Sequence, residues 1–195
     1  MIDDYYTVTS DPIEEPITLS EAKAWLRVTT TADDNLITDL IVAARQFGEK
    51  FCNRIFINTS IDCFFSALDS TNCELYPFVQ VRRAPLISIT DLSIYSGGSY
   101  AAFTDYTVKN SNGFSRLIFK NGISSDLDID FPIRLQATFG YGDRSNLPDE
   151  IKTAVKAHVA FLYENRGDVA AGSNLSMPLE TKLIYSRHYR ILNNY

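Results

Sequence analysis

The sequence predicts an α+β protein: a small bundle of three main helices, an antiparallel β-rich insertion between the second and third, and an extended C-terminal arm. Three observations carry this reading. Apolar residues recur at three- and four-residue spacing from Leu36 to Phe51 and again from Ile151 to Tyr163. Between those stretches the period drops to two, as in Thr59, Ile61, Cys63 and Phe65. Beyond a small polar stretch, DVAAGSNLSM, the chain ends in PLETKLIYSRHYRILNNY, which is bulky, aromatic and basic.

Residues 1–17 hold Asp3, Asp4, Asp11, Glu14 and Glu15 with no Lys or Arg, which predicts an acidic N-terminal arm of low local stability. Thr18 and Glu21 form a capping box for the first helix, with Ile17 and Ala22 placed as a hydrophobic staple. Leu19, Ala22, Trp25 and Leu26 share one face, and the β-branched run from Val28 ends the helix. The second helix opens at Thr31 to Asp34, where oxygen-bearing side chains suit free N–H groups and the positive dipole end. It runs to about Asn53 with Leu36, Ile37, Leu40, Ile41, Ala44, Phe47 and Phe51 as its apolar face. Gly48 inside it marks a weak point or a close backbone approach.

Residues 18–54 thus form the first two helices and residues 55–142 the β-rich insertion. Strands are predicted at Thr59 to Phe65, Glu74 to Val81, Ile87 to Tyr95, Tyr106 to Val108, Arg116 to Phe119 and Ile129 to Phe139. Gly97-Gly98 reads as a hairpin turn, and Asn112-Gly113 and Asn121-Gly122 as two more turns. The third helix, within residues 146–167, starts behind Pro148 with Asp149 and Glu150 in its first turn and stops at Gly167. Residues 168–195 are linker and arm, too short to build a core, and so are expected to seek a partner.

Composition narrows the function. A net charge of −6 argues against a surface built mainly to hold phosphates. The acidic N-terminus lacks the apolar region of a secretory signal, and no stretch approaches the roughly 20 apolar residues that span a bilayer. Cys52, Cys63 and Cys73 lack metal-ligand spacing. Buried reduced thiols are the expectation, although the interval between Cys63 and Cys73 also allows a pair on adjoining strands.

No motif makes an enzyme. Gly140-Tyr141-Gly142 follows a strand and precedes a helix, but Ser145 replaces the third glycine, and Asp149 and Glu150 would repel a pyrophosphate. Asp126, Asp128 and Asp130 open like a calcium loop, yet Phe131 and Ala137 stand where the loop needs Gly and Glu. Alternating charge on a strand edge accounts for them better. His158 lies on the apolar face of the third helix, as a core histidine would, and His188 lies in the tail beside Arg187. The first two helices are no DNA reader, because the second begins with Asp33, Asp34, Asn35 and Asp39. No cofactor and no metal is expected.

Three stretches in this order resemble one family. They are ITLSEAKAWLRV with DDNLITDLIVAARQFGEKFCNRIF (Ile17 to Phe56), RRAPLISITDLSIY (Arg82 to Tyr95) and FGYGDRSNLPDEIKTAVKAHVAFLYENRGD (Phe139 to Asp168). The chain is similar to the head–tail connector (adaptor) proteins of long-tailed phages and prophages. LIYSRHYRI is similar to the aromatic and arginine-rich end of the longer members. The resemblance implies a non-enzymatic virion protein, assembled in the host bacterial cytoplasm and placed at the head–tail junction. It implies a homo-oligomeric ring, usually of about twelve subunits. Such a ring sits beneath the portal protein, continues the DNA channel without binding DNA specifically, and offers a platform to a stopper or tail-completion protein. No membrane is involved. The resemblance assigns portal binding to Lys182, Leu183, Ile184, Tyr185, Arg187, His188, Tyr189, Arg190 and Ile191, and subunit contact to Trp25 and Tyr163. The alternatives are another neck component such as a stopper, a small cytosolic enzyme whose site forms only in three dimensions, and a DNA-binding module.

Overall fold

The computed structural model describes residues 5–66, 76–111, 114–121, 123, 130–166 and 177–188. The described residues divide into two compact units: one from residues up to Pro12 together with Asn58–Gly140, the other from Ile13–Ile57 together with the residues after Gly140. In chain order the elements are β1 (Tyr5–Ser10), α1 (Leu19–Leu26), α2 (Asp34–Cys52), β2 (Thr59–Phe65), β3 (Phe78–Val81), β4 (Leu86–Ser96), β5 (Ser99–Ala102), β6 (Thr107–Ser111), β7 (Phe114–Ile118), β8 (Ile133–Phe139), α3 (Asp149–Glu164) and α4 (Leu179–His188).

The β unit holds a five-stranded sheet in the order β1-β2-β8-β4-β5 and a three-stranded sheet in the order β3-β7-β6, antiparallel throughout. Alternation explains the larger sheet. On β8, Ile133, Leu135, Ala137 and Phe139 are buried, whereas Arg134, Gln136 and Thr138 are half-exposed. Asp62 of β2 lies opposite Gln136 and is almost wholly covered. Its carboxylate accepts from Arg134 Nη2 at 2.7 Å, Arg134 Nε at 3.2 Å and Gln136 Nε2 at 3.1 Å, so that charge is not stranded. Gly97 and Gly98, with φ of +62° and +92°, make the predicted β4–β5 hairpin turn.

The helical unit buries one cluster built from Ile17, Ile37, Ile41, Phe56, Val155 and Tyr185, with smaller residues between them. Helix α1 begins with the predicted capping box: Thr18 Oγ1 accepts from Glu21 N at 3.1 Å, and Glu21 Oε2 accepts from Thr18 N at 2.8 Å. The hydrogen bond from the Thr18 N–H is the main reason Glu21 titrates below the usual carboxylate range. Arg27 and Asn53, both in the left-handed region, close α1 and α2.

Four corrections to the sequence reading emerge. Residues 5–10 are strand β1, paired with β2, and not part of an arm. Tyr5 packs on Phe64, with ring centroids 5.3 Å apart, and Arg83 covers the Tyr6 ring at 3.5 Å. Glu14 and Glu15 are also anchored, as described below. The tail is not an extended arm over residues 179–188: it is α4, so the described chain has four helices, not three. Phe47, assigned to the core face of α2, is 47% exposed. The helix turns Ile37, Ile41, Ala44, Arg45, Gly48 and Cys52 inward instead. Finally, α3 ends at Glu164 with Asn165 as its cap, ahead of the predicted stop at Gly167. That glycine, Asp3, Asp4, Cys73, Asn112-Gly113, Gly122, Asp126, Asp128 and residues 168–176 lie outside the described residues.

Candidate functional site

The residues assigned to partner binding fall mainly on α4, which packs within the helical unit. Its two faces differ. Thr181 and Tyr185 are fully buried, and Ile184 packs against the core. Leu179 and Leu183 are 69% and 54% exposed, with Lys182, Ser186 and Arg187 exposed beside them. The open face is therefore two leucines flanked by cations.

Tyr185 is held from several sides. Its ring lies over Gly48, where an added Cβ would stand 2.9 Å from Tyr185 Cζ and 2.8 Å from Phe56. That close approach is why α2 carries glycine there. Cys52 Sγ donates to the Tyr185 carbonyl at 3.4 Å, and burial pushes the Cys52 thiol up to about 12. The last turn of α4 is tied down by Arg54 Nε, which donates to the His188 carbonyl at 2.7 Å, and by His188 Nε2, 3.4 Å from Glu150. Tyr185 is thus a core residue of this unit, while Lys182, Leu183, Arg187 and His188 face outward or lie at the margin. Tyr189, Arg190 and Ile191 lie outside the described residues.

The two residues assigned to subunit contact behave differently. Trp25 on α1 is half-exposed and so is not a core anchor. Tyr163, near the end of α3, is partly buried; its hydroxyl donates to Asp33 Oδ2 and Arg166 sits 4.7 Å from its ring centroid.

A second constellation was missed in the sequence. Arg45, 8% exposed, donates from Nε to Glu15 at 2.8 Å and from Nη1 to Glu49 at 3.0 Å. Glu49 also accepts from Phe56 N at 2.8 Å, and its burial pushes its carboxyl above the usual range against those partners. Arg144 donates from its backbone N to Glu14 at 2.7 Å and from Nε to the Glu15 carbonyl at 2.8 Å. The acidic segment is thereby bolted to α2 and to the loop before α3. Partners 30 and 130 positions away left no local signal.

The candidate catalytic and ligand residues that are described have structural partners. His158 is buried between the rings of Phe47 and Tyr185, and burial alone pushes its imidazole down to about 4. Gly140 and Gly142 have φ of +131° and +113°, and the turn is followed by Asp143, whose carboxylate accepts from Ser145 and Asn146. Asp149 pairs with Lys152 at the start of α3. Among the described residues no cluster of three or more metal-ligating side chains occurs, and no helix is long and apolar enough to cross a membrane.

Residues 16–77 match the family model described as phage gp6-like head-tail connector protein. That match covers about a third of the chain. The fold resembles that of solved chains from gene transfer agent (GTA) particles. One is the neck of an empty GTA particle with C6 symmetry, matched with a TM-score of 0.78 and 18% identity over 97% of this chain and 98% of the other. A second is the neck of a native GTA particle with C12 symmetry, with a TM-score of 0.73, 18% identity and 97% and 98% coverage. A third is the virion of a native GTA particle, with a TM-score of 0.73, 18% identity and 96% and 97% coverage. No curated protein matches the sequence. The fold shared with these neck and virion chains extends along essentially this whole chain.

Proposed function

We propose that this protein is a head–tail connector (adaptor) subunit of a phage-like particle. It forms a homo-oligomeric ring of about twelve copies below the portal protein, continues the DNA channel, and presents a platform to a stopper or tail-completion protein. One observation carries the reading: a connector-family match in the first helical segment coincides with full-length fold likeness to neck structures of C6 and C12 symmetry. The ring stands at the head–tail junction of the virion and is assembled in the host bacterial cytoplasm. DNA passes through without specific recognition, in keeping with a net charge of −6.

In this reading the open face of α4, with Lys182, Leu183, Arg187 and His188, leads into Tyr189, Arg190 and Ile191 and contacts the portal. Apolar anchors next to arginines are the side chains that dominate interface energy. Ile184 and Tyr185 act from behind by holding the helix in place. Trp25 contacts a neighbouring subunit, with Tyr163 supporting the same flank.

Co-sedimentation with portal tests the assignment. Removing residues 178–195 would pull Tyr185 from the core, so the informative variants are Leu183→Ser with Arg187→Ser, and a chain ending at His188. Both should keep their far-UV circular dichroism and lose portal binding. Undiminished co-sedimentation of both folded variants would refute the assignment.

A further inference from the structure

Among the described residues the five-stranded sheet ends in two exposed strands, β1 and β5. All six residues of β1, YYTVTS, are exposed, and so are all four residues of β5, SYAA. Neither strand contains a charged residue or a proline. Edge strands normally carry such residues to discourage pairing with another chain. The smaller sheet does: β6 holds Lys109, and Arg82 and Arg83 follow β3 directly. Within the two end strands of the larger sheet themselves the device is missing, and Asp11 and Pro12 come only after β1.

Both end strands are held in place. β1 is fixed by its register on β2, by Tyr5 on Phe64 and by Arg83 over Tyr6. β5 is fixed by its register on β4, by Tyr100 against Tyr95 and by the Tyr100 hydroxyl donating to the Phe131 carbonyl at 2.6 Å.

We infer that β1 of one subunit pairs with β5 of the next copy, so that the sheet runs on from subunit to subunit around the ring. The inference rests on the ring reading above and specifies its joint. A ring needs a heterologous interface made of two different patches on opposite flanks, and the two ends of one sheet are such patches. Topology then fixes the hand of the joint. Five strands that alternate strictly give β1 and β5 the same direction. Head-to-tail repetition keeps that direction, so the joint is parallel. A β1-to-β1 joint would be isologous and antiparallel, and would stop at a dimer. Parallel pairing is slightly the weaker kind, and this joint is only as long as β5. It suits a contact that closes in the assembled ring and not between two free subunits.

Cysteine cross-linking in the full chain decides the matter. Two double variants sample the two faces of the strands: Thr7→Cys with Ala102→Cys on the face of Asp62 and Ser93, and Val8→Cys with Ala101→Cys on the face of Ile61 and Ile94. Circular dichroism verifies that each folds, and a short bis-maleimide traps neighbours under conditions where the unmodified chain forms rings by electron microscopy. At least one double variant should give a ladder of covalent multimers that closes at the ring size. Single variants of that pair should form covalent heterodimers when mixed and monomers when treated separately. Homodimers of Thr7→Cys or Val8→Cys alone would replace the joint with an isologous one. Rings of the folded double variants without a ladder would overturn the inference and leave the ring reading standing. If the unmodified chain forms no ring by itself or with portal, the ring reading falls and the joint falls with it.

Discussion

Tyr185 shows how a single side chain couples the tail to the helical body. Replacing it by Ala should cost about 3–5 kcal/mol, as for other large aromatic truncations in a core. Its hydroxyl is buried without a hydrogen-bond partner, so Tyr185→Phe should be neutral or slightly stabilising. Urea unfolding followed by circular dichroism separates the two; equal losses would place the hydroxyl in a bond that the packing described here lacks. His158 supplies a pH dependence. Its imidazole titrates near 6.5 in the unfolded chain and near 4 when folded, because burial disfavours the cation. The unfolded state therefore binds more protons between those values, and stability falls as pH drops through them. From pH 7 to pH 5 the contribution is about 2 kcal/mol. His158→Gln should lose about that much less stability over the same interval. An identical pH profile for the variant would show that the imidazole is not buried in its neutral form.

At the scale of elements, local pattern was readable and long-range pairing was not. Helices α2 and α3 and strands β2 and β8 were evident because each repeats its period several times and one face is buried. β5 was missed because SYAA is too short to show alternation. β1 was missed because YYTVTS, a plain strand sequence, sits between acidic residues that suggested an unfolded arm. α4 was missed because its buried Thr181 and Tyr185 are amphipathic side chains, and the space for Tyr185 is made by Gly48, far away in sequence. Phe47 was misplaced for a related reason: it satisfies the α2 period but lies at the margin of the buried stripe. The candidate surface was legible in composition, as aromatic and arginine residues near the end of the chain, but which of them point outward depended on the packing of α4. The Arg45 network tests the anchoring of residues 13–15. Arg45→Ala strands Glu49 in a buried position and should cost about 3–5 kcal/mol. Denaturation gives the cost, and hydrogen exchange at Glu14 to Ile17 should rise with it. A loss below about 1 kcal/mol would mean the ion pairs are solvated and do not bind the segment.

For the whole molecule, the account rests on a family match over residues 16–77 and on a β unit whose two end strands suit serial assembly. Its central claim is that many copies close into one collar. Cryo-electron microscopy of the full chain assembled with portal tests that claim most directly. The account predicts a closed ring of uniform copy number with C12 symmetry or a divisor of it, coaxial with the portal and open along its axis. A preparation that stays monomeric on the grid beside intact portal, or that forms only two-fold dimers, would contradict it.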